Sequence, residues 1–132
     1  MGQGRSTHFG FTKLLVDDLE ATSAFYKTVC GLDETGRVDA RIGGRSISEI
    51  LFAPTADGGP TFVLLKFLDA PKPTNDEVIL GFQTDDVDRF LERAVAAGGT
   101  VVDAARTDTE HGIKVAFVTD CEGHLIEVVQ IL

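Results

Sequence analysis

Few side chains in this sequence could do chemistry, and they are scattered. Its three histidines are His8, His111 and His124, and its two cysteines are Cys30 and Cys121. The thiols lack the Cys-x-x-Cys spacing of a metal or redox pair, so they read as reduced cysteines of a cytoplasmic protein. His111 lies beside Glu110 and Gly112 at the entrance to a strand. There it could line a cavity mouth or move a proton, because imidazole titrates near neutral pH; the competing reading is a solvated loop residue. His124 falls in a turn and reads as solvated. His8 reads as an ordinary residue near a terminus. No Gly-x-x-x-x-Gly-Lys-Ser/Thr phosphate loop, dinucleotide fingerprint or Gly-x-Ser-x-Gly elbow occurs. No spacing nominates a serine or threonine as a nucleophile.

Composition narrows the partners. The chain has 132 residues, 21 acidic and 12 basic, for a net charge of −9. That length suits one domain, residues 1–132. A 43% hydrophobic content supplies a core and excludes wholesale disorder. The acidity argues against nucleic acid, which needs clustered Lys and Arg, and against an anionic membrane surface. No apolar run approaches the ~18 residues of a membrane span. The N-terminal residues lack the apolar core of a signal peptide.

The elements that must position any site come from an internal repeat. Val16-Asp-Asp-Leu-Glu-Ala-Thr-Ser-Ala-Phe-Tyr-Lys-Thr-Val-Cys-Gly31 and Thr84-Asp-Asp-Val-Asp-Arg-Phe-Leu-Glu-Arg-Ala-Val-Ala-Ala-Gly-Gly99 each open on an Asp pair and close on Gly. Asp18 and Asp86 read as helix N-caps, their carboxylates accepting the free N–H groups of the first turn. Gly31 and Gly99 read as stops that take the left-handed conformation. Val87, Phe90, Leu91, Ala94 and Val95 make one apolar helical stripe; Leu19, Phe25, Tyr26 and Val29 do similar work. A strand precedes each helix, at 9–16 and 77–84. Three follow each, at 33–40, 45–53 and 61–68, then at 100–106, 114–119 and 125–132. The sequence therefore divides into two β-α-β-β-β modules, 9–68 and 77–132, joined by a Pro-containing linker at 69–76. The run Phe62-Val-Leu-Leu-Lys-Phe-Leu68 is apolar almost throughout, so both its faces should be covered.

This layout resembles the vicinal oxygen chelate superfamily, the glyoxalase/bleomycin-resistance/dioxygenase fold. The likeness rests on Val16 to Tyr26 with Gly31-Leu32, on Ala97-Gly-Gly99, and on Ala116-Phe-Val-Thr-Asp-Cys-Glu-Gly-His-Leu-Ile-Glu127. The last block is similar to the family's terminal turn, with Cys121 in place of the usual Pro. The resemblance implies an α+β fold in which two βαβββ modules form a curved mixed sheet around a cavity, and it implies a homodimer. Metal-dependent members hold a divalent cation with four side chains, one from the first and last strand of each module. Counting back seven residues from Asp18 and Asp86 gives Phe11 and Ile79. The last-strand positions fall at Leu64, or Lys66 with a slip, and at Glu127. Phe, Ile and Leu donate no electron pair and an ammonium repels a cation, so neither metal nor cofactor is expected. His8 stands at an odd offset from Phe11, which points it to the opposite strand face unless a bulge intervenes.

If Phe11 faces the cavity, a period of two adds Phe9, Lys13 and Leu15. Ile79 likewise adds Gly81 and Gln83, Leu64 adds Lys66, and Glu127 adds Val129. Such a cavity is mainly apolar and aromatic, with Lys13, Lys66, Gln83 and Glu127 as its polar groups, which suits a small organic ligand. The lysines would pair (Lys66 with Glu127), reach a wet rim, or await an anion. The expected function is metal-independent binding of a small anionic or aromatic molecule by Phe11, Lys13, Leu64, Lys66, Ile79, Gln83, His111 and Glu127. It resembles that of drug-sequestering resistance proteins. The alternatives are an isomerase or lyase in which Lys66 or Glu127 transfers the proton, and a metal-dependent lactoylglutathione lyase or dioxygenase.

Overall fold

The computed structural model describes residues 7–74 and 77–132. The first half runs β1 (Phe11–Leu15), α1 (Leu19–Cys30), β2 (Glu34–Ile42), β3 (Arg45–Phe52) and β4 (Thr61–Phe67). The second runs β5 (Ile79–Gln83), α2 (Val87–Ala96), β6 (Val101–Asp108), β7 (Ile113–Thr119) and β8 (Leu125–Ile131). They form two four-stranded mixed sheets, ordered β1-β4-β3-β2 and β5-β8-β7-β6. In each, the first and last strands pair in parallel and the rest antiparallel. Residues 75–76 of the expected linker lie outside the described residues. No helix among the described residues is long and apolar enough to cross a membrane.

The helix boundaries follow from local chemistry. Asp18 accepts the Ala21 N–H at 3.0 Å and Asp86 the Arg89 N–H at 3.1 Å. Gly31 ends α1 in the left-handed region, at φ 67°. The second helix ends differently from the expectation. Its C-cap is Ala97, and the left-handed residue is Gly98, at φ 101°. Gly99 is required by close approach instead, since a Cβ there would lie 2.3 Å from the Thr119 carbonyl oxygen. Val95, expected on the buried stripe, is exposed.

The helices cover one face of the sheets. Leu14, Ile50, Phe52 and Leu64 of the first sheet join Ala116, Val118, Ile126 and Val128 of the second around Phe25, Tyr26, Val29, Val87, Phe90 and Ala94. Alternation turns Ile47, Val63, Leu65 and Val115 the other way, and these are buried as well. The apolar β4 is thus covered on both sides, as its composition requires. The face of each sheet away from the helices is its open face.

A buried carboxylate joins the two halves. Each oxygen of Asp120 accepts two hydrogen bonds. Oδ1 takes the N–H groups of Glu122 (2.8 Å) and His124 (3.0 Å). Oδ2 takes the Tyr26 hydroxyl (2.8 Å) and His124 Nδ1 (2.7 Å). The other ring nitrogen of His124, Nε2, donates to the Leu15 carbonyl at 3.0 Å, so both are donors and the ring is an imidazolium. His124 is 4% exposed, which overturns the expected solvated turn residue. Two more contacts from the second half hold α1 at its ends. Glu122 accepts the N–H groups of Asp17 and Asp18, at 2.9 and 2.6 Å. Arg93 donates from Nε and Nη2 to the Val29 carbonyl, each at 3.2 Å. A carboxylate at the helix start and a guanidinium at its end both complement the helix dipole. Between them the Tyr26 ring meets Phe62 of β4 and Phe82 of β5, with centroids 5.2 and 6.2 Å away.

Burial opposes the charge on His124, yet the hydrogen bond and charge of Asp120 hold its pKa above the ordinary 6.5. Burial also opposes the Asp120 charge, and the bonds from His124 and Tyr26 outweigh it, keeping its pKa below 3.8. The pair therefore contributes fully below 6.5 on the histidine side and above 3.8 on the aspartate side. As pH rises past 6.5 the unfolded chain loses its proton first, and the contribution fades until the folded imidazolium titrates. Between about pH 6 and about pH 9, urea unfolding of the wild type should lose more stability than that of His124→Gln. Equal losses in both proteins would contradict this assignment.

Candidate functional site

On the open face of the second sheet, the register sets Gly81 of β5, Glu127 of β8 and Phe117 of β7 side by side. Ile79, Gln83, Leu125 and Val129 stand two residues away on the same face. On the first sheet, Phe11, Lys13 and Leu15 share the open face with Val63, Leu65 and Glu49. Phe11 and Ile79 are 56% and 57% exposed, which sets them apart from the sealed helix side. Strands β1 and β5 each have one hydrogen-bonded neighbour, leaving an edge free. A cavity of about 450 Å³ wraps the β5 edge, lined by Thr12, Phe62 and residues 78–83 among others. A second, of about 170 Å³, lies between Lys13–Leu15 and Glu77–Val78, with His124 at its wall.

Phe11, Lys13, Ile79, Gln83 and Glu127 thus stand on the faces away from the helices. Leu64 does not. It is fully buried in the helix-side cluster, because Lys13 pairs with Val63. The repeat makes the correction plain: Lys13 corresponds to Gly81, whose partner is Glu127, so Val63 is the counterpart of Glu127. Lys66 shares the helix-side face with Leu64. Its Nζ lies 2.6 Å from the Asp17 carbonyl oxygen and 3.4 Å from Asp17 Oδ1, so the expected pairing with Glu127 is not made. His111 stands exposed on the turn after edge strand β6, its Nδ1 2.9 Å from Asp108 Oδ2. With Glu110 these two gather three potential ligand groups within 4.8 Å, on an exposed turn. His8 is exposed and precedes β1.

Glu49 is the functional-site residue that sequence reasoning missed. Its side chain is 9% exposed, and Oε2 lies 2.6 Å from Lys13 Nζ. The contact is one of charges without hydrogen-bond geometry, which leaves that oxygen an unused acceptor. Lys13 Nζ also lies 5.6 Å from the centroid of the Phe11 ring. The signal was the alternation Ile47-Ser-Glu-Ile50, which places Glu49 opposite to the helix-facing Ile50. The cysteines add no nucleophile: burial pushes the Cys30 thiol up to about 12, and Cys121 is raised for the same first reason.

The four repeat-related positions are Phe11, Val63, Ile79 and Glu127. Three are hydrocarbon and one is a carboxylate, a donor set that does not fit a divalent cation.

Residues 7–128 match the family model described as Glyoxalase/Bleomycin resistance protein/Dioxygenase superfamily. Among solved structures, a glyoxalase family protein from Bacillus cereus is 19% identical, with a TM-score of 0.84 over 100% of this chain and 99% of that one. A glyoxalase/bleomycin resistance protein/dioxygenase family enzyme from Burkholderia phytofirmans is 18% identical, with a TM-score of 0.73 over 96% and 100%. A genomically encoded fosfomycin resistance protein from Listeria monocytogenes is 19% identical, with a TM-score of 0.66 over 96% and 94%. At these identities the likeness is one of fold. No curated protein sequence matches the chain.

Combining Phe11→His, Val63→Glu and Ile79→His puts a donor side chain at each of the four repeat-related positions. Calorimetric zinc titration should show affinity at least about 100-fold above the wild type. Tight binding of one zinc by the wild type would contradict the donor reading.

Proposed function

The chain belongs to the Glyoxalase/Bleomycin resistance protein/Dioxygenase superfamily, and we propose that it binds a small, largely apolar or aromatic organic molecule on its open face without a metal ion. One observation carries this reading: Phe11, Val63 and Ile79 occupy three of the four repeat-related donor positions. Hydrocarbon at all three removes ligands, and the exposed Phe11 and Ile79 add contact surface for an apolar body. The role we propose is sequestration by binding alone; a protein of similar fold is a fosfomycin resistance protein. Pairing of two copies and residence in the cytoplasm belong to the same reading.

The charges favour the aromatic branch over the anionic one. Lys13 is neutralised by Glu49 and Lys66 by Asp17, so neither is a free cation awaiting an acid. Of the two side chains considered for proton transfer, Lys66 is committed on the opposite face and Glu127 stands on the open one.

A thermal-shift screen of small aromatic compounds in EDTA should find ligands, and Phe11→Ala should weaken them about tenfold, the scale of one buried ring. Binding that vanishes with the chelator and returns with a divalent metal would overturn the reading.

A further inference from the structure

We infer that the molecule bound on the open face is an organic cation and that Glu127 is its anchor; this rests on the reading of that face as a small-molecule site. Two of the three basic side chains that the strand register turns to this face are paired with a carboxylate. Lys13 has Glu49 at 2.6 Å and Arg45 has Asp69 at 3.1 Å. Arg106, the third, lies at the far edge on β6, paired with Val115 of β7 and separated from β8 by that strand. The Glu127 side chain has no hydrogen-bond or ion-pair partner among the described residues. It is half-buried on an inner strand, flanked along β8 by Leu125 and Val129.

A carboxylate among hydrocarbon is costly when unpaired, so its surroundings matter. Phe117 stands directly across from it on β7, close enough for the ring to meet a cation held at the carboxylate. On the other side stands Gly81, where an added Cβ would meet nothing within 4 Å. Gly81 is exposed and lines the 450 Å³ cavity. The carboxylate therefore has an aromatic neighbour on one flank and open space on the other. A protonated amine, amidine or quaternary ammonium with an apolar body matches that pattern: its charge meets Glu127 and Phe117, and its body meets Ile79 and the cavity wall. A bare metal ion does not, since the neighbouring positions offer it no donors. The first half of the repeat carries Val63 at the corresponding place, so the site is present once per chain.

The test uses one aromatic body with three charges, in EDTA: 2-naphthylmethylammonium, 2-naphthylmethanol and 2-naphthoate, titrated by fluorescence or calorimetry. The ammonium should bind about tenfold more tightly than the alcohol and tighter still than the carboxylate. Glu127→Gln, nearly isosteric, should remove the advantage of the ammonium and leave the alcohol unchanged. Raising the salt should narrow the gap in the wild type, a check that needs no variant. Equal binding of ammonium and alcohol, or preference for the carboxylate, would overturn the cation proposal while leaving the organic-ligand reading intact. Failure of all three to bind at millimolar concentration would overturn that reading itself.

Discussion

The structure depends on one buried carboxylate. Asp120 sits in the turn before the last strand, and its two oxygens collect four donors from a tyrosine of the first helix, a histidine and two backbone N–H groups. Charged hydrogen bonds of this kind are each worth about 1.5–3 kcal/mol when buried, and here they act across the junction between halves. The imidazolium that pairs with Asp120 also takes the Leu15 carbonyl at the free edge of β1. This contact fixes β1 against the second half. The aromatic stack through Tyr26, and the charges of Glu122 and Arg93 at the two ends of α1, reinforce the same docking.

Function then turns on where the repeat is broken. The halves share strand order and register, so each position on one open face has a counterpart on the other. Phe11 and Ile79 match in character. Val63 and Glu127 do not, and Lys13 has a counterpart in Gly81. In the first half these differences give a lysine tied to Glu49 beneath a phenylalanine. In the second they give a carboxylate with an open flank. A symmetric scaffold thereby acquires one polar anchor in an apolar setting, which is what a small amphipathic organic molecule requires.

Much of this was legible in the sequence. The repeated Asp pairs marked both helix starts, the turn residues separated the eight strands, and the continuous apolar run of β4 foretold a strand covered on both sides. The period of two puts Phe11, Lys13, Ile79 and Glu127 on the strand faces away from the helices. What failed depended on pairing between distant strands. Leu64 and Lys66 were assigned to the wrong face because a shift of one residue reverses every side chain on a strand, and no local signal fixed the β1–β4 register. Glu49 was overlooked because it sits on β3, outside the repeated positions. His124 was misread because a turn residue is usually solvated, and its burial comes from the opposite half of the chain, through Leu15 and Tyr26. Gly99 was assigned a left-handed role that belongs to Gly98, since adjacent glycines look alike until the close approach to Thr119 is seen.

The central claim is that the open face around Glu127 binds an organic molecule with no metal. Amide chemical-shift mapping of the chelator-treated protein, titrated with an aromatic ligand, tests it most directly. The account predicts that the largest shifts cluster at Phe11, Ile79, Gly81, Phe117 and Glu127, with the α1 and α2 amides little changed. Shifts centred on the groove between the helices, or shifts at the open face that arise only after a divalent metal is added, would contradict it.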